Sequence, residues 1–300
     1  MSLVAQQRSH ALHFIDLSVA GGSGLGMSCG DMIRPSAGGE GQIAVSYEVL
    51  RSGFFFSIGV GADYRLSNYA MKQNMVDQFP MPDRDGRSTL YRYVYSRYRE
   101  QEHTIYGSVP IQFGYRIKNK VYFSLGAKAS MPLWNTYSVS TDMFTEGEYP
   151  NLIDVISRNV PSYGYYPEVH YAYKGSYKAP TLMVSPTAEV GGFFRIVPGI
   201  SCRIGAYVEY AIPVGNKPAV MDIVDYSSVD QNPQTRSLEN LQANIRFNSV
   251  LNARMSPAST SYAGQNVMKN AAQYISFGIR ATFRFNVTQT PSVCMCDIDN

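Results

Sequence analysis

Apolar and polar side chains alternate along residues 274–287, which read YISFGIRATFRFNV. Ile275 and Phe277 fall on one face of an extended strand, whereas Ser276 and Arg280 fall on the other, because side chains alternate with period two. The stretch exceeds the roughly 9–11 residues that a tilted strand needs to cross a bilayer. It therefore predicts a strand with one apolar face and one polar, partly cationic face.

The same alternation recurs along the chain and predicts eight strands. They span residues 13–20, 42–50, 54–66, a segment that ends at 117, 121–133, 182–197, 200–212 and 274–287. None of the eight apolar faces carries Asp, Glu, Lys or Arg. Residues 21–41 are rich in Gly and Ser, which predicts a loop. A short helix is expected after Ser237, where Leu238, Leu241 and Ile245 share a face.

The connections between these strands alternate in length. They are long after the first, third, fifth and seventh strands and tight after the second, fourth and sixth. This arrangement is typical of an outer-membrane barrel with short periplasmic turns and long outer loops. The prediction is an all-β fold: an eight-stranded antiparallel transmembrane up-and-down β-barrel with extracellular loops and both termini in the periplasm.

A water-soluble β-sandwich or lipocalin-like barrel is the structural alternative, with the apolar face turned inward as the core. It explains the alternation equally well. It explains neither the alternation of loop lengths nor the aromatic residues near the strand ends. Those residues are Phe54, Tyr115, Phe283 and Phe285 on the turn side and Tyr64, Trp134 and Tyr210 on the other side.

Composition narrows the class of protein. The 300 residues are 45% hydrophobic with a mean hydropathy of −0.18, and no apolar run approaches the roughly 18 residues of a membrane helix. A helical membrane protein is therefore excluded. The 26 basic and 23 acidic residues are too balanced to indicate a nucleic-acid partner. The 23 tyrosines against one tryptophan fit aromatic girdles and Tyr-rich loops.

The two ends of the chain are expected to lie outside the barrel. Residues 1–7 (MSLVAQQ) look like the tail of a secretory signal, with an ordinary polar start as the alternative. The barrel would occupy residues 8–287, and residues 288–300 would form a periplasmic tail. That tail contains Cys294 and Cys296, whose spacing favours a free or modified thiol over a metal site, since only two ligands are present. No cofactor and no metal site are predicted.

The eight-strand pattern, the signal-like SLVAQQ and the closing FRFNV resemble the small eight-stranded outer-membrane barrels of the OmpA and OmpX type. The divergent barrel proteins of Bacteroidetes are especially similar. The resemblance covers about residues 12–287 and is one of architecture. It implies an integral protein of the bacterial outer membrane. OmpA-like proteins append a peptidoglycan-binding domain, for which residues 288–300 are too short.

Twelve charged residues are predicted on the lumen face. They are Asp16, Glu48, Asp63, Arg65, Arg116, Lys128, Glu189, Arg195, Arg203, Glu209, Arg280 and Arg284. An eight-stranded barrel is just wide enough for its side chains to fill it, and buried charges persist only when they are paired. These charges should therefore interlock as a plug, with an ion pathway as the alternative. Interior glycines such as Gly114 and Gly205 are expected to leave room for the long arginine side chains.

The outer loops carry the candidate binding residues. Tyrosine and arginine are enriched at protein interfaces, and ten such residues cluster in two loops. They are Tyr91, Arg92, Tyr93, Tyr95, Tyr98, Tyr163, Tyr165, Tyr166, Tyr171 and Tyr173. We expect them to bind a partner, with plain strand extensions above the membrane as the alternative.

An outer-membrane enzyme would need a histidine with a carboxylate or serine near the outer rim. His103, beside Glu100 and Glu102, is the only candidate base, and a solvated loop residue is its alternative interpretation.

Taken together, the residues favour a non-catalytic outer-membrane barrel. It would be an accessory or scaffold subunit of a complex for assembly, secretion or transport. Its partners would be membrane lipids and other outer-membrane or surface proteins, without nucleic acid. A surface receptor, adhesin or small-solute channel is one alternative, and an enzyme that uses His103 is another.

Overall fold

The described part of the chain is all-β with one α-helix, as seen in a computed structural model. The structure describes residues 11–27, 32–118, 120–152, 155–176, 182–214, 221–230, 232, 234–268 and 273–288. The segments 1–7 and 289–300, with Cys294 and Cys296, lie outside this range. Among the described residues, no helix has the length and apolar character needed to span a membrane.

The described residues contain fifteen strands rather than the eight expected. Eight of them are long: β1 (Leu12–Met27), β2 (Ile33–Arg51), β3 (Phe54–Met71), β5 (Ser88–Ile117), β6 (Val121–Glu148), β9 (Leu182–Val197), β10 (Ile200–Val214) and β15 (Gln273–Asn286). The other seven lie in the connections: β4 (Met75–Pro82), β7 (Ile156–Arg158), β8 (Val169–Gly175), β11 (Met221–Asp222), β12 (Val224–Asp225), β13 (Arg246–Phe247) and β14 (Ala253–Arg254). The sequence pattern missed these seven because most are too short to show a period.

The eight long strands pair antiparallel in one cyclic series. The pairs are β1–β2, β2–β3, β3–β5, β5–β6, β6–β9, β9–β10, β10–β15 and β15–β1. Following the pairings from β1 therefore leads back to β1, and we call this set the ring. Its turn side is the end where β2–β3, β5–β6 and β9–β10 connect tightly. The opposite end is the loop side.

The predicted loop at residues 21–41 is mostly strand in the described residues. β1 continues to Met27 and β2 begins at Ile33, and Gly22 pairs with Glu40 across them. Gly24 allows the side chain of Tyr274 to pack closely against this strand, because a Cβ on Gly24 would lie 2.4 Å from the aromatic ring of Tyr274.

The two faces of the ring have opposite polarity. Val60, Leu125 and Ile279 point outward and are 66%, 64% and 65% exposed. Asp16 and Arg284 point inward and are fully buried. Water-soluble proteins bury large apolar residues and leave charged ones outside. The arrangement is therefore the reverse of the soluble sandwich or lipocalin-like alternative.

On the turn side, β2 and β3 are joined by a two-residue turn. Ser52 and Gly53 both have positive φ, 51° and 87°, as a type I′ hairpin turn requires. The amide of Arg116 at the end of β5 donates to the carbonyl of Gly53 over 2.8 Å. The β2–β3 turn and the end of β5 therefore lie side by side.

On the loop side, β5 and β6 continue far beyond the ring and carry a second structured region. β4 pairs with the extension of β5, and β7 and β8 pair with that of β6. The described residues between 221 and 268 pack against them around one hydrophobic cluster. The predicted helix is present as α1 (Leu238–Asn244), where Ser237 Oγ accepts from the amide of Asn240 over 3.1 Å. We call this region the cap.

Candidate functional site

The interior of the ring brings most of the predicted charged residues together. Ten of the twelve are buried: Asp16, Glu48, Asp63, Arg65, Lys128, Glu189, Arg203, Glu209, Arg280 and Arg284. They come from β1, β2, β3, β6, β9, β10 and β15, whose inward positions the period-two pattern identifies. We call these ten residues the interior network.

On the turn side, Arg203 is held by two carboxylates. Its guanidinium lies 3.1 Å from Asp16 and 2.9 Å from Glu48, and Arg284 contacts the same two carboxylates. The Arg203 guanidinium also lies 4.8 Å from the ring centroid of Phe55. Two cations and two anions thus compensate one another in a buried site.

Midway along the interior, Arg280 ties two strands together. It donates to Glu189 over 2.7 Å and to Gln42 over 2.9 Å. The hydroxyl of Tyr122 donates to Glu189, and that of Tyr207 donates to Glu40.

The predicted charge network did not include Glu40, Gln42, Tyr122 and Tyr207, which belong to this layer. Glu40 stood in a predicted loop, and the other three carry no charge. The sequence did contain a signal for two of them. Glu40 and Gln42 are an even number of residues from Glu48 along β2, so all three lie on the same face of the strand.

Near the loop side, Lys128 bridges two acids. Its Nζ lies 2.7 Å from Asp63 and 2.7 Å from Glu209. Arg65 lies 3.7 Å from Glu209, and its guanidinium stands 4.4 Å from the ring centroid of Tyr274. The network therefore continues in layers from one end of the ring to the other.

Between these layers lies a cavity of about 30 Å³. Its lining includes the small side chains of Ser18, Ala44 and Ser57 and the charged side chains of Lys128 and Arg280. One water molecule needs about 10–15 Å³ measured in this way. The cavity therefore has room for very few waters.

Two of the interior glycines, Gly114 and Gly205, make room for aromatic rings instead of the arginine side chains expected. A Cβ on Gly205 would lie 2.3 Å from the hydroxyl of Tyr122, and one on Gly114 would lie 2.1 Å from the ring of Phe55. Aromatic rings are wide and rigid, so they need the neighbouring strand to have no side chain. The long, flexible arginine side chains reach across the interior enclosed by the eight strands without such a gap.

Two predicted network residues lie outside it. Arg195 is exposed at the turn side, and Arg116 is half-buried with its guanidinium 5.1 Å from the ring centroid of Phe193. Both line a turn-side pocket of about 360 Å³. They lie closer to the turn-side end than Asp16 and Glu48, whose carboxylates are already engaged. The sequence pattern therefore assigned both arginines to the correct strand face but to the wrong depth along the ring.

In the cap, the predicted binding tyrosines form the core. Seven are buried: Tyr91, Tyr93, Tyr95, Tyr98, Tyr165, Tyr166 and Tyr171. Tyr163, Tyr173 and Arg92 are half-buried, and Arg92 forms ion pairs with Glu146 and Glu148. The seven buried side chains offer no area to a partner, so any docking surface must use other residues of the cap.

Several tyrosine hydroxyls of the cap form hydrogen bonds inside it. Tyr91 donates to the carbonyl of Gly164 over 2.6 Å, and Tyr166 donates to the carbonyl of Arg236 over 2.7 Å. Buried tyrosines usually have such partners, whereas the buried hydroxyl of Tyr93 has none among the described residues.

Carboxyl groups are also buried in the cap. Asp77 accepts from the hydroxyl of Tyr226 over 2.6 Å. Burial raises the pKa of Asp77 to about 6, although the Tyr226 hydrogen bond opposes the shift.

Glu100 and Glu102 lie at the base of the cap. Burial raises the pKa of both carboxyls, and the neighbouring Glu100 raises that of Glu102 further. The backbone amide of Val250 donates to Glu100 over 3.1 Å, and the hydroxyl of Ser249 donates to Glu102 over 2.8 Å. The segment that follows β13 is thereby docked onto two buried acids.

No protein-family model matches this chain, and no curated protein matches it.

His103 does not meet the carboxylates beside it in sequence. Its ring lies on the outer face, with Nδ1 2.6 Å from the hydroxyl of Tyr64, whereas Glu100 and Glu102 are buried on the opposite face of β5. In the parts of the chain that the structure covers, no group of three or more His, Cys, Asp and Glu side chains could hold a metal ion. The catalytic arrangement imagined for His103 is therefore not assembled.

Proposed function

We propose that the eight long strands form an antiparallel transmembrane barrel in the bacterial outer membrane. The observation that carries this proposal is the polarity of the cyclic strand series, with apolar side chains outside and ion pairs inside. An acyl-chain environment stabilises the exposed outer face, and a closed ring leaves no unpaired strand edge in the lipid.

The height of the apolar belt supports this placement. On β3 the belt runs from Phe54 to Tyr64, both of which are exposed. Ten residue steps of about 3.3 Å give roughly 33 Å along the strand, or about 25 Å of membrane thickness at a tilt of about 40°. Trp134 lies at the same loop-side rim and is 52% exposed, as expected of an interfacial aromatic residue.

For the activity, we propose a non-catalytic accessory or scaffold subunit that docks other membrane or surface proteins through its cap. The interior is filled by paired charges and aromatic rings, so the accessible surfaces of the protein are its outer face and the cap. The cap has a packed core and can present a fixed shape. Leu152, Val155 and Ile156 are exposed on it, at 53%, 40% and 41%, and supply an apolar contact for a partner.

A channel or an enzyme has less support. A channel needs an open bore, and charge-paired layers fill the interior described above. An enzyme needs an assembled base, and His103 has a tyrosine hydroxyl as its neighbour. No specific observation favours either.

The test is a mild-detergent pull-down from native membranes. We expect the protein to sediment with outer membranes and to retain a stoichiometric protein partner. The variant L152S/V155S/I156S should lose that partner, whereas a control with three exposed cap cations changed, K72Q/R87Q/K174Q, should retain it. A water-soluble monomer without detergent would contradict the barrel, and a partner-free protein would contradict the docking role.

A further inference from the structure

The turn side of the ring exposes only cations among its described charged residues. Arg51 ends β2, Lys118 and Lys120 flank the β5–β6 turn, and Arg195 lies near the end of β9; all four are exposed. The described carboxylates in the turn-side layer of the interior, Asp16 and Glu48, are fully buried and engaged by Arg203 and Arg284. Among the described residues, this end therefore presents exposed positive charge without an exposed carboxylate.

An apolar groove begins directly beside these cations. It has a volume of about 620 Å³ and is lined by Phe54, Phe56, Phe113 and Phe123 on the outer face, with Arg51 at its edge. The rings pack in contact across strands, since Phe56 and Phe113 lie 4.8 Å apart between centroids. The groove thus spans four neighbouring strands, β2, β3, β5 and β6, at the turn-side end of the apolar belt.

The β2–β3 turn and the β5–β6 turn hold the cations together above this groove. The Arg116 amide to Gly53 carbonyl hydrogen bond, 2.8 Å, fixes one turn against the strand that leads to the other. Arg51, Lys118 and Lys120 therefore belong to one surface, which we call the basic collar. A cationic rim above an apolar groove matches a ligand with an anionic head and an apolar chain.

We propose that the basic collar and the groove bind an anionic phospholipid of the turn-side leaflet. The phosphate lies against Arg51, Lys118 and Lys120, and an acyl chain lies along the four phenylalanine rings. Charge complementarity selects the head, because basic residues beside a membrane attract anionic lipids. This inference rests on the proposed barrel, and it adds a lipid class and a position to it.

The experiment uses the full chain reconstituted into vesicles that contain equal amounts of phosphatidylglycerol and phosphatidylcholine. Flotation first establishes insertion, and native mass spectrometry of the extracted protein then counts the lipids of each class that remain bound. We expect phosphatidylglycerol to be preferred by roughly tenfold or more at low salt. The preference should decrease as ionic strength rises, because salt screens exposed charges.

The variant R51Q/K118Q/K120Q should bind the two lipids equally. The control K72Q/R87Q/K174Q removes the same charge from exposed positions in the cap, and it should keep the preference of the unmodified protein. Excess glycerophosphate should not displace the bound lipid, because the groove holds the acyl chain. Displacement would overturn the assignment of the groove.

The outcomes separate this inference from the barrel on which it depends. A protein that fails to float with vesicles overturns both. A protein that inserts but binds the two lipids equally overturns only the lipid inference, as does a collar variant that keeps the full preference.

Discussion

At the scale of single residues, tyrosine hydroxyls in the cap donate hydrogen bonds to backbone carbonyls that a neighbouring strand would otherwise pair. Tyr137 donates to the carbonyl of Phe247 over 2.6 Å, and Tyr171 donates to that of Ile245. These carbonyls belong to a segment with only two-residue strands, and buried backbone groups require partners. The tyrosine content was visible in the sequence, but its use was not, because alternation with arginine suggested an accessible surface.

We predict that Tyr137→Phe destabilises the cap by about 1–3 kcal/mol, because the buried carbonyl of Phe247 loses a donor. Hydrogen exchange of residues 246–252 measures the change. Tyr47→Phe, which removes an exposed hydroxyl near His13, is the control and should leave exchange in that segment unaltered. Equal protection in the two variants would contradict the role given to the tyrosine hydroxyl.

The buried Asp77 makes the cap pH-dependent. Its pKa is raised from 3.8 to about 6, so the folded cap binds the proton more tightly than the unfolded chain does. The stabilisation is complete below about pH 4 and is lost as the pH rises through about 6. The shift corresponds to about 3 kcal/mol.

Asp77→Asn should therefore be more stable than the unmodified protein at pH 7, and the two should converge below pH 4. Chemical denaturation followed by near-ultraviolet circular dichroism of the tyrosines measures this difference. Asp85→Asn changes an exposed carboxylate and should follow the unmodified protein at every pH. Parallel curves for Asp77→Asn and the unmodified protein would contradict the argument.

At the scale of elements, β5 and β6 each serve two regions. Tyr91, Tyr93 and Tyr95 are buried at odd positions of β5, but Tyr98 and Glu100 are buried at even ones. The register shift between Ser96 and Arg99 explains the change, since one extra residue exchanges the two faces of a strand. Arg97 sits in this bulge with a φ of 54°.

Deleting Arg97 should turn the three odd-numbered tyrosines away from the cap core. We expect loss of the near-ultraviolet tyrosine signal of the cap, while the ring still forms in detergent. Arg97→Gly keeps the residue count and adopts positive φ without a Cβ clash, so it should retain the cap signal. An intact cap in the deletion variant would show that the bulge does not set the faces.

The period-two pattern identified the ring strands because each has one lipid-compatible and one charged face, which is a local property. It could not identify the cap. There, burial depends on bulges of one residue and on packing between segments as distant as Tyr137 and Phe247. The same limit explains why Arg195 was assigned to the interior and the seven buried tyrosines to a binding surface. The face of a strand follows from neighbouring residues, whereas depth along the ring and coverage by other segments do not.

At the scale of the whole molecule, the interior network connects strands that are far apart around the ring. Arg203 on β10 reaches Asp16 on β1 and Glu48 on β2, while the β15 strand separates β10 from β1 in the pairing order. These ion pairs therefore cross-link the ring through its centre as well as through its backbone.

Arg203→Ala should destabilise the ring by about 3–5 kcal/mol, because two fully buried carboxylates lose a partner. The midpoint of thermal unfolding in detergent, read from the gel mobility of folded and unfolded forms, measures the loss. Arg195→Ala removes an exposed arginine on the adjacent strand and should change stability by less than about 0.5 kcal/mol. Similar midpoints for the two variants would contradict the cross-link.

The position of Trp134 gives the protein a built-in optical probe. The chain has one tryptophan, and it stands half exposed on the outer face at the loop-side rim. Its emission therefore reports on a single position, without an engineered label. In the proposed membrane barrel, lipids brominated near the headgroup should quench it strongly and lipids brominated at the chain end should quench it weakly, so one fluorescence titration tests the proposed immersion.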